Sequence, residues 1–373
     1  MNDVAIIGAS YLQLPLILKA REMGYTTHVF AWAAGDVGEA AADFFYPISI
    51  VEKEEILARC REIGILGVCS IASDLAAVTV NYVADRMGLT GNSLHSTEIS
   101  TNKFRMREAF ARRGDPIPRY ALADAETDFA ALAARMPMPL IVKPTDRSGS
   151  RGITRVERPD QLEQAVRTAL DQSFEKKAMV EEFAEGQEYS VEYISFRGEH
   201  HFLAMTLKYT TGAPHFIETG HLEPAPVDEA TLARVRAVVE HALDTLEIRN
   251  GASHSEIRID DAGRIRLIEI GGRMGGDLIG SDLVRCSTGV DFVRAVLQVA
   301  LGGEPDLTPV CAPRRTEVRF ILTEEDLQAY EALQESHPER ILRAEAVESE
   351  KIGCAADSSG RAGCYLVDLG PLA

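Results

Sequence analysis

The sequence predicts an α/β protein, and three observations carry that expectation. The chain opens strand, helix, strand: residues 4–7 are a short apolar run, Gly8 and the small residues after it turn the chain, residues 12–23 follow as a helical stretch, and residues 26–31 are apolar again. Short apolar runs of strand length recur at 67–71, 139–143, 189–195, 201–208 and 316–322. Helical stretches with one apolar face lie among them, such as 230–246, where Leu232, Val235, Val239 and Leu243 fall in line.

Taken in order, a helix at 52–63, a strand at 67–71 and a helix at 75–87 complete a small α/β unit ending near Ser96. Its first turn keeps Gly8, but Ser10 and Gln13 stand where a dinucleotide-binding fingerprint needs glycine, so that ligand has little support. Residues 101–113 read as one helix, and Gly114, Pro116 and Pro118 stiffen the link that follows. The segment to 188 shows strands near 140, 153 and 179 and a helix at 159–172; set off by Pro and Gly, it is expected to close as a flap. Paired strands at 189–195 and 201–208 precede the 230–246 helix. A helix at 290–301 is stopped by Gly302 and Gly303. Strand 316–322, helix 324–335 and a turn at 356–360 complete a tail in which no chemistry is recognisable.

Composition narrows the function. The 373 residues exceed one small core and suggest two or three domains, with an ordinary globular balance of 46% hydrophobic and 26% charged residues. A formal charge of -18 argues against nucleic acid or an anionic membrane as partner. Charge beyond about 8 Å is screened at physiological salt, so local balance decides what binds. Lys143, Arg147, Arg151, Arg155 and Arg158 face only Asp146 and Glu157, a basic stretch inside an acidic chain. Six scattered cysteines without a C-x-x-C pair, no apolar leader and no membrane-length apolar run lead to the expectation of a reducing, cytoplasmic location.

The most informative stretch is 264–277, where Glu269 closes an apolar run and is followed by Gly271, Gly272, Arg273, Gly275, Gly276 and Asp277. Glu256 ends an earlier run close behind His254. Two neighbouring strands would then present two hard oxygen ligands, which suits magnesium shared with a substrate's phosphates. Upstream, residues 139–143 deliver Lys143 at the end of a buried strand, followed by Ser148, Gly149, Ser150 and Gly152, small residues that let backbone N–H groups approach phosphate. The lysine precedes the glycines, so this is not a Walker loop. Glu181, Glu182, Phe183, Ala184 and Glu188 then form strand, turn, strand with carboxylates able to accept from an adenine amine and ribose hydroxyls. Each part alone has a plain structural explanation, as a strand-end charge, a loop or a solvated hairpin. Their agreement in order is what makes the signal specific.

That order of motifs, from about Val4 to Gly303, resembles the ATP-grasp superfamily, in particular carboxylate–amine ligases of the D-alanine–D-alanine ligase and bacterial L-amino acid ligase types. The resemblance implies an ATP-grasp fold: an N-terminal Rossmann-like domain (1–100), an ATP-grasp domain (101–312) with a mobile α+β lid at about 119–188, and a small C-terminal α+β subdomain (313–373). It implies Lys103 and Lys143 as the ATP-phosphate lysines and 148–152 as the loop over the phosphates. Glu181 would take the adenine amine, Phe183 and Ala184 the ring edge through their backbone, and Glu188 the ribose. Glu256 and Glu269 match the Mg²⁺ ligands, with Mn²⁺ as a substitute, and Arg273 matches the arginine that meets the transferred phosphoryl group. Two departures stand out: Gly271 where relatives often carry Asn, and His254 where they often carry Arg.

The implied activity is amide or peptide bond formation through an acyl phosphate, with small-molecule carboxylate and amine substrates, an amino acid among them, and a homodimer as a common state of relatives. Arg273 and the N–H groups of Gly275 and Gly276 are the candidate oxyanion donors. His254 either orients the acyl phosphate, acts as base for the amine, or simply supports a metal carboxylate. Ser10, Tyr11 and Asp74 are candidate substrate contacts, Lys208 and His221 candidate neighbours of the acceptor. Asp277 either holds a substrate ammonium or caps a helix start. An ATP-dependent carboxylase and a catalytically inactive ATP-binding regulator are the competing functions.

Overall fold

The computed structural model describes residues 2–147, 152–212, 216–355 and 357–372. The first α/β unit is a four-stranded parallel sheet in the order Phe44–Tyr46, Thr26–Phe30, Asp3–Ile7, Gly67–Cys69. Both of its faces are covered, which explains why its strands read as unbroken apolar runs. Val4 and Ile6 pack with Leu16 and Ile17, whereas Ala5 and Ile7 pack with Ile56, Leu57 and Val83. Gly8 makes the expected tight turn at φ +104°, and Ser10 is absorbed in it, its hydroxyl donating to Gln13 Oε1 at 2.7 Å.

The helix expected at 101–113 is Lys103–Arg113, and a further helix the sequence did not suggest, Leu94–Thr101, runs up to it. Asn102 separates them because its side chain accepts from the N–H groups of Phe104 and Arg105, an N-cap in place of a helical turn. The flap is an antiparallel sheet in the order Tyr120–Ala123, Ala178–Glu182, Leu140–Pro144, Thr154–Val156. Helix Leu162–Gln172 lays Leu162, Ala165, Val166 and Ala169 on Leu140, Val142 and Val180. The edge strand Tyr120–Ala123 and the short helix Phe129–Arg135 are additions to the sequence expectation; their alanine-rich sequences carry no clear period.

The main sheet has eight antiparallel strands in the order Ile265–Gly271, Gly251–Ile259, Gln187–Phe196, Glu199–Thr210, Glu218–Glu223, Arg314–Ile321, Gly363–Pro371, Ile341–Ala344. Helix Glu229–Thr245 buries Val235, Val239 and Leu243 against Val191, Tyr193, Met205 and Leu267. Helix Phe292–Ala300 covers Ile194, Leu203 and Ala252 and shares a core with Leu16 and Ile17 of the first unit. The tail expected as a subdomain of its own is continuous with this sheet, since Arg314–Ile321 pairs directly with Glu218–Glu223.

The chain passes from flap to main sheet through Gly186, at φ +106° and so close to the Ile259–Asp260 backbone that an added Cβ would sit 2.2 Å from Ile259 O. Gly186→Ala is therefore expected to lower stability by about 3 kcal/mol or more, from left-handed strain and a backbone clash together. Urea unfolding midpoints of the two proteins check this, and an unchanged midpoint would show that the turn can move aside.

Candidate active site

A cavity of about 470 Å³ opens where the first unit, the flap, the main sheet and the tail meet. At one end stand two buried lysines. Lys103 is the first residue of its helix, placed by the Asn102 cap, and Lys143 lies in Leu140–Pro144. One turn beyond Lys103 is Arg107, wholly buried, whose Nε donates to Glu181 and whose Nη2 donates to the Ile268 carbonyl. Lys143 Nζ reaches the other oxygen of Glu181 at 2.6 Å. The Glu181 carboxylate, expected to meet an adenine amine, is instead committed to two cations. Burial would raise its pKa, but Arg107 and Lys143 bring it below the usual range. Lys143 is also pulled down, by burial first and by Arg107 and Lys103, with Glu181 opposing. That end of the cavity carries a positive charge that an anion would relieve.

The other nucleotide residues are similarly engaged. Phe183 N–H donates to Pro139 O, Ala184 C=O accepts from Arg258, and the guanidiniums of Arg155 and Arg258 both stack on the Phe183 ring, 4.3 and 4.9 Å from its centroid. Glu188, expected at a ribose, is paired with Lys208 at 2.9 Å and Arg258 at 2.8 Å. All three residues line the cavity. Ser148, Gly149 and Ser150 lie outside the described residues; Gly152, at φ +69°, is packed against Pro144 and Gln172.

In the middle, Glu256 and Glu269 are direct cross-strand partners and both line the cavity. Each carries a lysine: Lys103 on Glu269, and Lys208 Nζ on Glu256 at 2.7 Å. Lys208 also holds Glu188, and despite burial these acids keep its pKa well above the usual range. Among the described residues no group of three or more Asp, Glu, His or Cys is arranged as a metal cage. Magnesium shared with phosphates needs only one or two carboxylates, and this facing pair supplies them.

Behind the pair, His254 Nδ1 is hydrogen-bonded to the fully buried Glu192, and its Nε2 lies 3.6 Å from Glu256. Burial opposes a charged ring, yet Glu192 overrides it and lifts the His254 pKa to about 9. The Glu192 carboxylate thus favours the imidazolium, in which both ring nitrogens are donors. Glu192 Oε2 also accepts the Gly275 N–H at 3.0 Å. Gly275 is thereby corrected as an oxyanion donor, because its amide faces the buried carboxylate; Gly276 lines the cavity.

Arg273 is held by Asp74 through Nε at 2.9 Å and Nη2 at 3.2 Å. Burial works against both charges, and mutual attraction wins: Asp74 is shifted down, Arg273 up. A Cβ on Gly271 would lie 2.7 Å from Asp74 Oδ1, so this pair explains glycine at that position. Across the main sheet from the lysines the cavity is lined by Tyr11, His221, Asp277, Ser358 and Arg361. Asp277 caps no helix; Arg361 grips it with two hydrogen bonds of 2.8 and 2.9 Å. The tail, in which the sequence shows no recognisable chemistry, therefore supplies part of the site, through a turn that carries no motif.

The His254 shift has a consequence for stability. A histidine whose folded pKa stands above its unfolded value near 6.5 stabilises fully below that value, and the contribution is lost as pH rises through about 9. The loss is expected to be on the order of 2–3 kcal/mol in the ligand-free protein. Denaturant midpoints measured from pH 6 to 10 should fall over this window in the wild type and flatten in His254→Gln; parallel curves would exclude the charged ring.

Residues 136–282 match the family model described as an ATP-grasp domain. The chain is 26% identical over 306 residues to alanine–anticapsin ligase of Bacillus subtilis, which covers 73% of this chain but only 64% of that relative's length. Among solved structures it is similar to the L-amino acid ligase from Bacillus licheniformis, with a TM-score of 0.81, 23% identity and coverage of 99% and 93% of the two chains. Phosphoribosylglycinamide synthetase from Anaerococcus prevotii gives a TM-score of 0.78 at 19% identity, covering 100% and 95%. Residues 136–282 are thus similar to the ATP-grasp domain, and the chain as a whole has the ATP-grasp fold.

Proposed function

We propose that the protein is an ATP-dependent carboxylate–amine ligase that activates a carboxylate as an acyl phosphate and condenses it with an amine, releasing ADP and phosphate. The observation that carries this is one cavity with two buried lysines at one end, a facing pair of carboxylates in the middle and a carboxylate-held arginine beside them. Phosphoryl transfer asks a protein mainly for positioning and charge neutralisation, and no nucleophilic side chain is needed. The name of the Bacillus subtilis relative, an amino acid ligase, agrees.

Lys103 and Lys143 would hold the phosphates, and the two ion pairs they now make with Glu269 and Glu181 would give way to phosphate oxygens. Glu256 and Glu269 would hold Mg²⁺, whose contribution when bound is to neutralise charge on the phosphates. Asp74 fixes the Arg273 guanidinium so that it meets the charge developing on the activated carboxylate and on the tetrahedral oxygen formed by amine attack. Glu192 fixes His254 as a second donor. The flap, carrying Lys143, excludes water that would hydrolyse the acyl phosphate. Small-molecule substrates, a cytoplasmic location and a homodimer belong to the same proposal; among the described residues no helix is long and apolar enough to cross a membrane.

Screening amino acid pairs for Mg²⁺-dependent ADP formation, with mass detection of the product, is the direct test. Amino-acid-dependent turnover is expected; dependence on bicarbonate would instead mark a carboxylase, and ATP binding without ADP formation a regulator. Arg273→Ala should lower kcat by roughly 10²- to 10³-fold with little change in ATP binding, and full activity in this variant would take Arg273 out of the chemistry. Glu269→Gln should weaken nucleotide-dependent Mn²⁺ binding, read by electron paramagnetic resonance, and unchanged binding would show that Glu269 is no ligand.

A further inference from the structure

Arg107 is the bulkiest of the wholly buried side chains among the described residues, yet it carries a charge and stands outside the cavity wall. Its neighbours Met106 and Phe110 pack into the core of the main sheet. The guanidinium lies between three elements. Nε donates to Glu181 in the flap strand Ala178–Glu182, and Nη2 donates to the carbonyl of Ile268, the residue before Glu269 in the main sheet. Its own helix begins at Lys103, one turn earlier. A guanidinium meets two acceptors with separate nitrogens in one rigid plane, which a single ammonium nitrogen does not. The strand ending in Glu181 is therefore held against the strand that carries Glu269.

The two lysine pairs at this end differ in what each would leave behind. Lys103 is paired with Glu269, whose side chain is 26% exposed and faces its cross-strand partner Glu256. If Lys103 turns to a phosphate, Glu269 has solvent or a divalent ion to replace it. Lys143 is paired with Glu181, whose side chain is only 4% exposed. If Lys143 turns to a phosphate, Glu181 stays behind as a buried carboxylate, and leaving such a charge without its partner is strongly destabilising. Arg107 prevents that. It holds Oε1 of Glu181 while Lys143 holds Oε2, so the lysine can leave without breaking the other bond. Arginine also keeps its charge at every accessible pH. Its positive charge opposes that of Lys143 and so weakens the lysine's hold on Glu181.

Resting on the proposed function, in which Lys143 binds phosphate, we propose that Arg107 is a positioning residue for the nucleotide: it is the standing countercharge of Glu181 that lets Lys143 exchange a carboxylate for a phosphate oxygen. Arg107 itself touches no substrate. It acts on Lys143 through Glu181.

Calorimetry with Mg²⁺ and a nonhydrolysable ATP analogue tests this on the whole chain. Arg107→Met should weaken binding by about 10- to 100-fold, because Lys143 is then the sole partner of Glu181 and stays on it. Adding Glu181→Gln removes the carboxylate that needs a countercharge, so the double variant should recover most of the loss. A merely structural arginine gives the opposite result, since the second substitution then leaves binding as weak or weakens it further. Wild-type affinity in Arg107→Met, or a double variant no tighter than Arg107→Met, overturns the proposal. Where Arg107→Met does not fold, the double variant is compared with Glu181→Gln alone, because Arg107 should be dispensable once residue 181 is neutral. A double variant weaker by about tenfold or more is then equally decisive against it, and a smaller difference supports it. ADP formation reads the ligase function separately. A wild type that binds the analogue but forms no ADP ends that function and leaves the Arg107 comparison intact, whereas a wild type that binds no nucleotide overturns both.

Discussion

Four of the charges that line the cavity are held by an opposite charge from a different part of the chain, and the architecture depends on that pairing. Glu181 of the flap meets Arg107 of the helix before it; Glu269 of the main sheet meets Lys103; Arg273 meets Asp74 of the first unit; Asp277 meets Arg361 of the tail. A buried ion costs several kcal/mol unless it is paired and hydrogen-bonded, and removal of one partner typically costs about 3–5 kcal/mol. These pairs therefore do more than decorate a cleft. They fix how the parts of the fold face each other, and they keep the polar cavity from collapsing in the absence of a ligand.

Much of this was legible from residue order. The strands ending in Lys143, Glu256 and Glu269 were visible because apolar runs stop abruptly at a charged residue, and the register that sets Glu256 against Glu269 follows from two neighbouring antiparallel strands. The partners were not legible. Nothing around Arg107 distinguishes it from a surface arginine on a helix, yet it lies wholly inside. Gly275 reads as a free amide until a carboxylate 83 residues away is found to accept from it. The break at Asn102 is a local event, but an asparagine inside a helical run carries the same letters whether it caps or merely faces solvent.

Arg361 shows the limit most clearly. It follows a serine-rich turn with no motif, and it reaches the site only because Arg314–Ile321 joins the main sheet beside Glu218–Glu223 and brings Gly363–Pro371 with it. Sequence spacing cannot reveal a contact between residues 84 positions apart when a sheet edge makes the connection. Gly271 is the converse case: an apparent loss of a side chain is explained by the oxygen of Asp74 standing where that side chain would begin.

The seamless junction between the tail and the main sheet divides the labour of the cavity by position along the chain. The buried lysines, the facing carboxylates and Arg273 all come before residue 274, whereas Phe320, Ser358 and Arg361 shape the opposite wall. Strands added at a sheet's edge can change in length and sequence without disturbing the pairing of the central ones. A protein built this way can change one wall of its cavity by remodelling about its last sixth, while the central strands and the charges they carry stay in place.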